Sequence, residues 1–175
     1  MLMRSKTLFA TTAVLLIAGV ALAERGDDAD RKSKNGHAEG TVDGVSVVVD
    51  YGRPNVKGRD IWGGLVPFDA VWRTGANEAT AISFDQDVTV EGVAIAAGTY
   101  GLFTLPTEDG CTVIFNSVAE QWGAFDYDSS KDAGRVDVAY GEGEFVETFE
   151  ISVGDDGVSL AWADRVISFG VQSGS

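Results

Sequence analysis

Four cationic side chains crowd one short stretch of an otherwise acidic chain. Arg53, Lys57, Arg59 and Arg73 fall within residues 53–73, against only Asp60 and Asp69, so four positive charges face two negative ones. From residue 40 onward the remaining sequence holds 3 basic and 20 acidic residues. Arginine presents a planar fork suited to carboxylate, sulfate or phosphate. The stretch also contains Trp62 and Trp72 and runs on as Arg73-Thr74-Gly75-Ala76-Asn77-Glu78, side chains able to donate and accept hydrogen bonds. Indole faces take sugar rings or other flat ligands by apolar contact, and Trp122 adds one further along. Arg53, Lys57, Arg59, Trp72, Arg73, Asn77, Glu78 and Trp122 are therefore the candidate contacts for a small anionic or carbohydrate-like ligand. The competing role is structural: buried arginines are usually paired, and pairing these cations would pin a long loop to its scaffold.

Other chemistries have fewer tools. His37 is the only histidine and Cys111 the only cysteine, which leaves no His-pair or thiolate metal motif and no intrachain disulfide. A carboxylate pair from Asp60, Asp69, Glu78 and Asp126 would suit a glycoside-cleaving hydrolase, but nothing in linear spacing shows two of them facing each other. Asp126, Asp128, Ser130 and Asp132, with Asp137 at the twelfth position, resemble the start of a calcium loop. Such a loop needs Gly sixth and Glu twelfth, whereas Lys131 occupies the sixth place, so no metal and no cofactor is assigned. The reading leans away from an enzyme and towards a binding domain, with a carboxylate-dependent glycan hydrolase or a structural, envelope-interacting domain as alternatives.

The chain has 175 residues and a net charge of -14, which argues against nucleic acid as a partner. Residues 1–23 read as an export signal: Arg4 and Lys6, an apolar run from Leu8 to Val20, then Ala21-Leu22-Ala23 as a cleavage pattern. The run is short for a span, so no stable membrane insertion is expected after cleavage near Ala23, and the protein is expected in the periplasm or outside the cell. Residues 24–38 carry eight charges and no large apolar side chain, which predicts a disordered charged tether. Residues 39–172 form the expected single domain.

That domain follows a period of two. Val45, Val47, Val49 and Tyr51 share one face, as do Cys111, Val113 and Phe115, then Phe145, Phe149, Ile151 and Val153, then Val158, Leu160 and Trp162, then Ile167, Phe169 and Val171. Asp43-Gly44, Glu91-Gly92, Asp109-Gly110 and Asp156-Gly157 mark hairpins, because such pairs supply positive φ values. Phe68–Trp72 and Val118–Trp122 are the only places where a helical turn or two is expected. The pattern predicts an all-β domain: an antiparallel β-sandwich or partly open barrel with one long structured loop region and little helix.

Several long runs carry a resemblance. YGRPNVKGRDIWGGLVPFDAVWRTGANEATAISF, then AGTYGLFTLP, TVIFNS and QWGAFDYD, are similar to a bacterial secreted family, domain of unknown function 2911, over most of residues 40–170. The resemblance implies an export signal and an all-β domain. It implies no activity, cofactor or catalytic residue. Many members of that family are richer in Lys, whereas Asp and Glu dominate here.

Overall fold

The computed structural model describes residues 25–174. The export signal expected over 1–23 lies outside the described residues. Strands β1 (Lys34–Val42), β2 (Val45–Arg53), β3 (Thr80–Phe84), β4 (Val88–Val90), β5 (Val93–Ile95), β6 (Gly98–Pro106), β7 (Gly110–Asn116), β8 (Asp132–Gly141), β9 (Val146–Gly154), β10 (Gly157–Ala163) and β11 (Arg165–Ser173) form one antiparallel sheet. Its order is β1-β2-β3-β6-β7-β8-β11-β10-β9, with β4 on β11 and β5 on β4. The expected all-β class holds, and the sheet curls into a nearly closed barrel. Closure uses the residues just past β2: Val56 N–H donates to Glu147 at 2.8 Å and Phe149 N–H to Pro54 at 2.8 Å, so the start of the long loop pairs with β9.

The alternation fixes the core. Val45, Val47, Val49 and Tyr51 of β2 are buried, as are Cys111, Val113 and Phe115 of β7, and Val158, Leu160 and Trp162 of β10. The four expected turns join β1 to β2, β4 to β5, β6 to β7 and β9 to β10. Asp43 (φ 48°) with Gly44 (φ 80°), and Glu91 (φ 45°) with Gly92 (φ 84°), have the paired positive values that tight hairpins require. β6 and β7 are buried on both faces, because Phe103 and Ile114 point outward into a small second core with Ala79.

Three expectations change. Residues 25–38 are not simply a tether, since β1 begins at Lys34 and pairs with β2 along its whole length. Its inward positions are Gly36, Ala38, Gly40 and Val42, so the alternation is one of smallness. A Cβ on Gly36 would fall 2.6 Å from the Tyr51 ring, and one on Gly40 2.8 Å from Val153. Larger neighbours already fill that space. Phe68–Trp72 and Val118–Trp122 hold no helix; the helical element among the described residues is a 3-10 turn at Ser129–Lys131. Phe145 precedes β9 and is 62% exposed, so it does not share the inward face with Phe149 and Ile151. No helix among the described residues is long and apolar enough to cross a membrane.

Candidate functional site

Residues 54–79 cross from β2 to β3. After Pro54–Val56 pairs with β9, the chain turns through Lys57 (φ 49°) and reaches β6. There Asp69 N–H donates to Pro106, and Trp72 and Thr104 exchange backbone hydrogen bonds of 2.7 and 2.9 Å. The loop thus occupies the edge of β6 beyond the end of β3. Buried Thr74, Thr80 and Thr104 fasten the return: Thr74 Oγ1 donates to Thr104 Oγ1 at 3.2 Å and Thr80 Oγ1 to the Thr74 carbonyl at 2.5 Å. Thr74 and Asn77 hold φ of 56° and 65°, a left-handed backbone that non-glycine residues seldom adopt. Rigid backbone therefore sets the position of Arg73 between them and Trp72.

Arg73 borders a cavity of about 230 Å³ with Arg59, Leu65, Trp72, Ala76 and Trp162 among its walls. No Asp or Glu lines it. Trp72 and Trp162 stack, with Trp62 and Phe149 edge-on to both. Among the described residues none of Arg53, Lys57, Arg59 and Arg73 forms an ion pair. Two of them bind backbone instead. Arg53 Nε donates to Phe149 at 3.4 Å, and the Arg59 fork donates to Val56 at 3.0 Å and to Asn55. Arg73 has no such partner, and its Nε is buried without one. Burial with no counter-ion lowers the pKa of its guanidinium. Trp162, which lines the same cavity, also has a buried Nε1–H without a partner among the described residues. An acceptor-rich group is what such a site lacks.

The sequence candidates divide in two. Arg59, Trp72 and Arg73 meet at this cavity. Arg53 fastens the loop, and Lys57 is exposed with its N–H bonded to Glu147. Asn77 Nδ2 donates to Ser33, and its carbonyl accepts from Gly123. Glu78 and Trp122 border a different cavity, of about 190 Å³. Both Glu78 oxygens accept from Arg31, at 2.6 and 2.5 Å, and this holds the carboxyl down to about 2. Glu78 is thus ionised and in no position to give a proton as a general acid near neutral pH. Asp60, Asp69 and Asp126 are exposed and do not line its cavity.

The acidic run after Trp122 works locally. Asp128 caps the 3-10 turn by accepting from Ser130 N–H, Asp132 accepts from Asn116, Tyr127 and Arg135, and Asp137 accepts from Thr112. Sequence reasoning missed Arg25, Arg31 and Ser33, because they lie in the segment read as a tether. It also placed Trp162 in the core without its second role. The one available signal was a segment with four basic residues among its eight charges, ahead of an acidic domain.

A family model described as protein of unknown function (DUF2911) matches residues 33–171. Its start falls one residue before β1, in keeping with the strand there. No curated protein and no solved structure matches the chain.

Proposed function

The chain belongs to the DUF2911 family of unknown function, and we propose that it is an exported, non-catalytic binding domain for a small anionic ligand with a flat apolar body. One observation carries this reading: Arg73 is half-buried, its guanidinium has no counter-ion or hydrogen bond among the described residues, and it borders a cavity with no acidic wall in a chain of net charge -14. Desolvating a cation without a partner costs stability, and a ligand anion offsets that cost. Leu65 is the exposed apolar wall of this cavity for the rest of the ligand, and Trp72 and Trp162, both buried, complete it. A carboxylate or sulfate on a ring the size of one sugar or one aromatic unit matches these features.

A structural role is favoured for part of the island. Arg53 and Arg59 spend their forks on loop carbonyls, so they fasten the loop while Arg73 stays available. The test is a thermal-shift screen with glucuronate, benzoate, sulfate and phosphate. A ligand at 100 times its dissociation constant adds about 2.7 kcal/mol. The shift should vanish in Arg73→Ala. If a shift of the same size persists in that variant, the site assignment is wrong.

A further inference from the structure

The geometry points to a second binding site, for a neutral hydroxylated ring such as a saccharide unit, in the cavity bordered by Trp122. It shares only the 73–79 run with the cavity of Arg73 and has the opposite character. Its lining includes Asp50, Glu78 and Glu120, the one cation Arg25, and three alanines.

Three features argue for the ligand class. The first is Trp122 itself. Its side chain is 60% exposed, yet its backbone is clamped: Glu78 and Trp122 are bridged, Ala79 N–H donates to Gln121 at 2.9 Å, and Gly123 N–H to Asn77 at 3.1 Å. An indole left in water on a fixed backbone is a ready platform for the face of a ring. The second is the hydrogen-bonding demand. Arg25 and Gln121 both line this cavity; Arg25 Nη2 donates to the Glu78 and Ala79 carbonyls, while Arg25 Nε and Gln121 Oε1 are buried without a partner among the described residues. One is a donor and the other an acceptor, and a hydroxyl answers both because it accepts and donates at once. The third is charge. Arg31 already neutralises Glu78, so Arg25 against Asp50 and Glu120 leaves a lining of mixed sign that favours neither a cationic nor an anionic ligand. A neutral ring bearing hydroxyls remains, with room for one such ring in about 190 Å³.

The test follows the indole N–H of Trp122 by NMR on labelled full-length protein, its signal assigned by its loss in Trp122→Ala. The probes are glucose, galactose, N-acetylglucosamine and cellobiose, raised to about 10 mM, where a shallow one-ring site should respond. Glucuronate and tetramethylammonium serve as charged counterparts. At least one neutral sugar should shift the Trp122 indole and the Ala79 and Gln121 amides. Trp122→Ala should weaken that binding by about tenfold or more, and Arg73→Ala should leave it unchanged. The inference fails if no neutral sugar moves these signals, if either charged probe moves them more, or if Trp122→Ala binds as well as the parent. Because Trp122 is exposed, its loss leaves the core intact. Loss of anion binding in Arg73→Ala bears on the other cavity alone.

Discussion

Trp72 lies nearly parallel to Trp162, with ring centroids 5.6 Å apart and planes 15° from each other. The stack joins the long loop to β10, and Arg73 follows directly on the stacked residue. Phe149 meets both rings edge-on, at 5.4 and 5.8 Å. Removing the loop's share of the stack should therefore loosen the loop as well as the core. Trp72→Ala is expected to cost about 3–5 kcal/mol in urea denaturation, as large-to-small core changes do. A loss under about 1 kcal/mol would mean that the ring pair does not hold the loop.

Replacing Arg73 should have the opposite sign. Its guanidinium is desolvated, unpaired and has a buried Nε without a partner. Arg73→Met keeps the length of the side chain and removes the charge. In ligand-free protein it is expected to raise stability by about 1–2 kcal/mol, while any anion-dependent shift disappears. Urea denaturation with and without glucuronate measures both. Destabilisation would show that Arg73 holds the fold together.

The strands were legible where large apolar side chains alternate, as in Val45–Tyr51 and Val158–Trp162, because burial of one face is what a period of two encodes. β1 was not. Its inward residues are small because Tyr51 and Val153 occupy the space, and hydropathy does not register smallness. The site was half legible. Concentrated charge pointed to Arg59 and Arg73, which do share a cavity with Trp72. It did not separate Glu78, whose run of consecutive residues presents side chains to two cavities, or Trp122, which reaches the second cavity from the segment between β7 and β8. Arg31 and Glu78 are 47 positions apart, and only the folded chain brings them together.

Cys111 tests the tightness of the barrel. It is buried, and burial pushes its thiol up to about 12. The thiolate is the reactive species, so the native protein should resist an aromatic disulfide reagent near pH 8 and react fully in denaturant. Rapid reaction of one equivalent in the native state would show that β7 opens readily.

His37, the chain's one histidine, gives a clean titration. Its Nδ1 lies 2.7 Å from Asp50 and its Nε2 3.5 Å from Glu39, and the hydrogen bond to Asp50 raises its pKa above 6.5. A raised pKa contributes stability that is complete below 6.5 and is lost as pH rises through the folded value. The Tm advantage of the parent over His37→Gln should therefore shrink from acid towards mildly alkaline pH. NMR of the imidazole protons should place the midpoint above 6.5. A midpoint at or below 6.5 would deny the contact with Asp50.

Glu78 predicts the reverse dependence. Arg31 holds its carboxyl at about 2, against 4.5 for an unperturbed glutamate. A depressed pKa contributes stability that is complete above 4.5 and is lost as pH falls towards 2. With so many acids, acid unfolding of the parent alone identifies no single group, so the informative quantity is a difference. Glu78→Gln should melt lower than the parent at neutral pH, and the gap between the two curves should close as pH drops from 4.5 to 2. Arg31→Ala should open the same gap, and the double variant should fall short of the sum, because both changes break one ion pair. A gap of constant width down to pH 2 would show that Arg31 and Glu78 are apart in solution, and that the segment before β1 is not fastened to the loop.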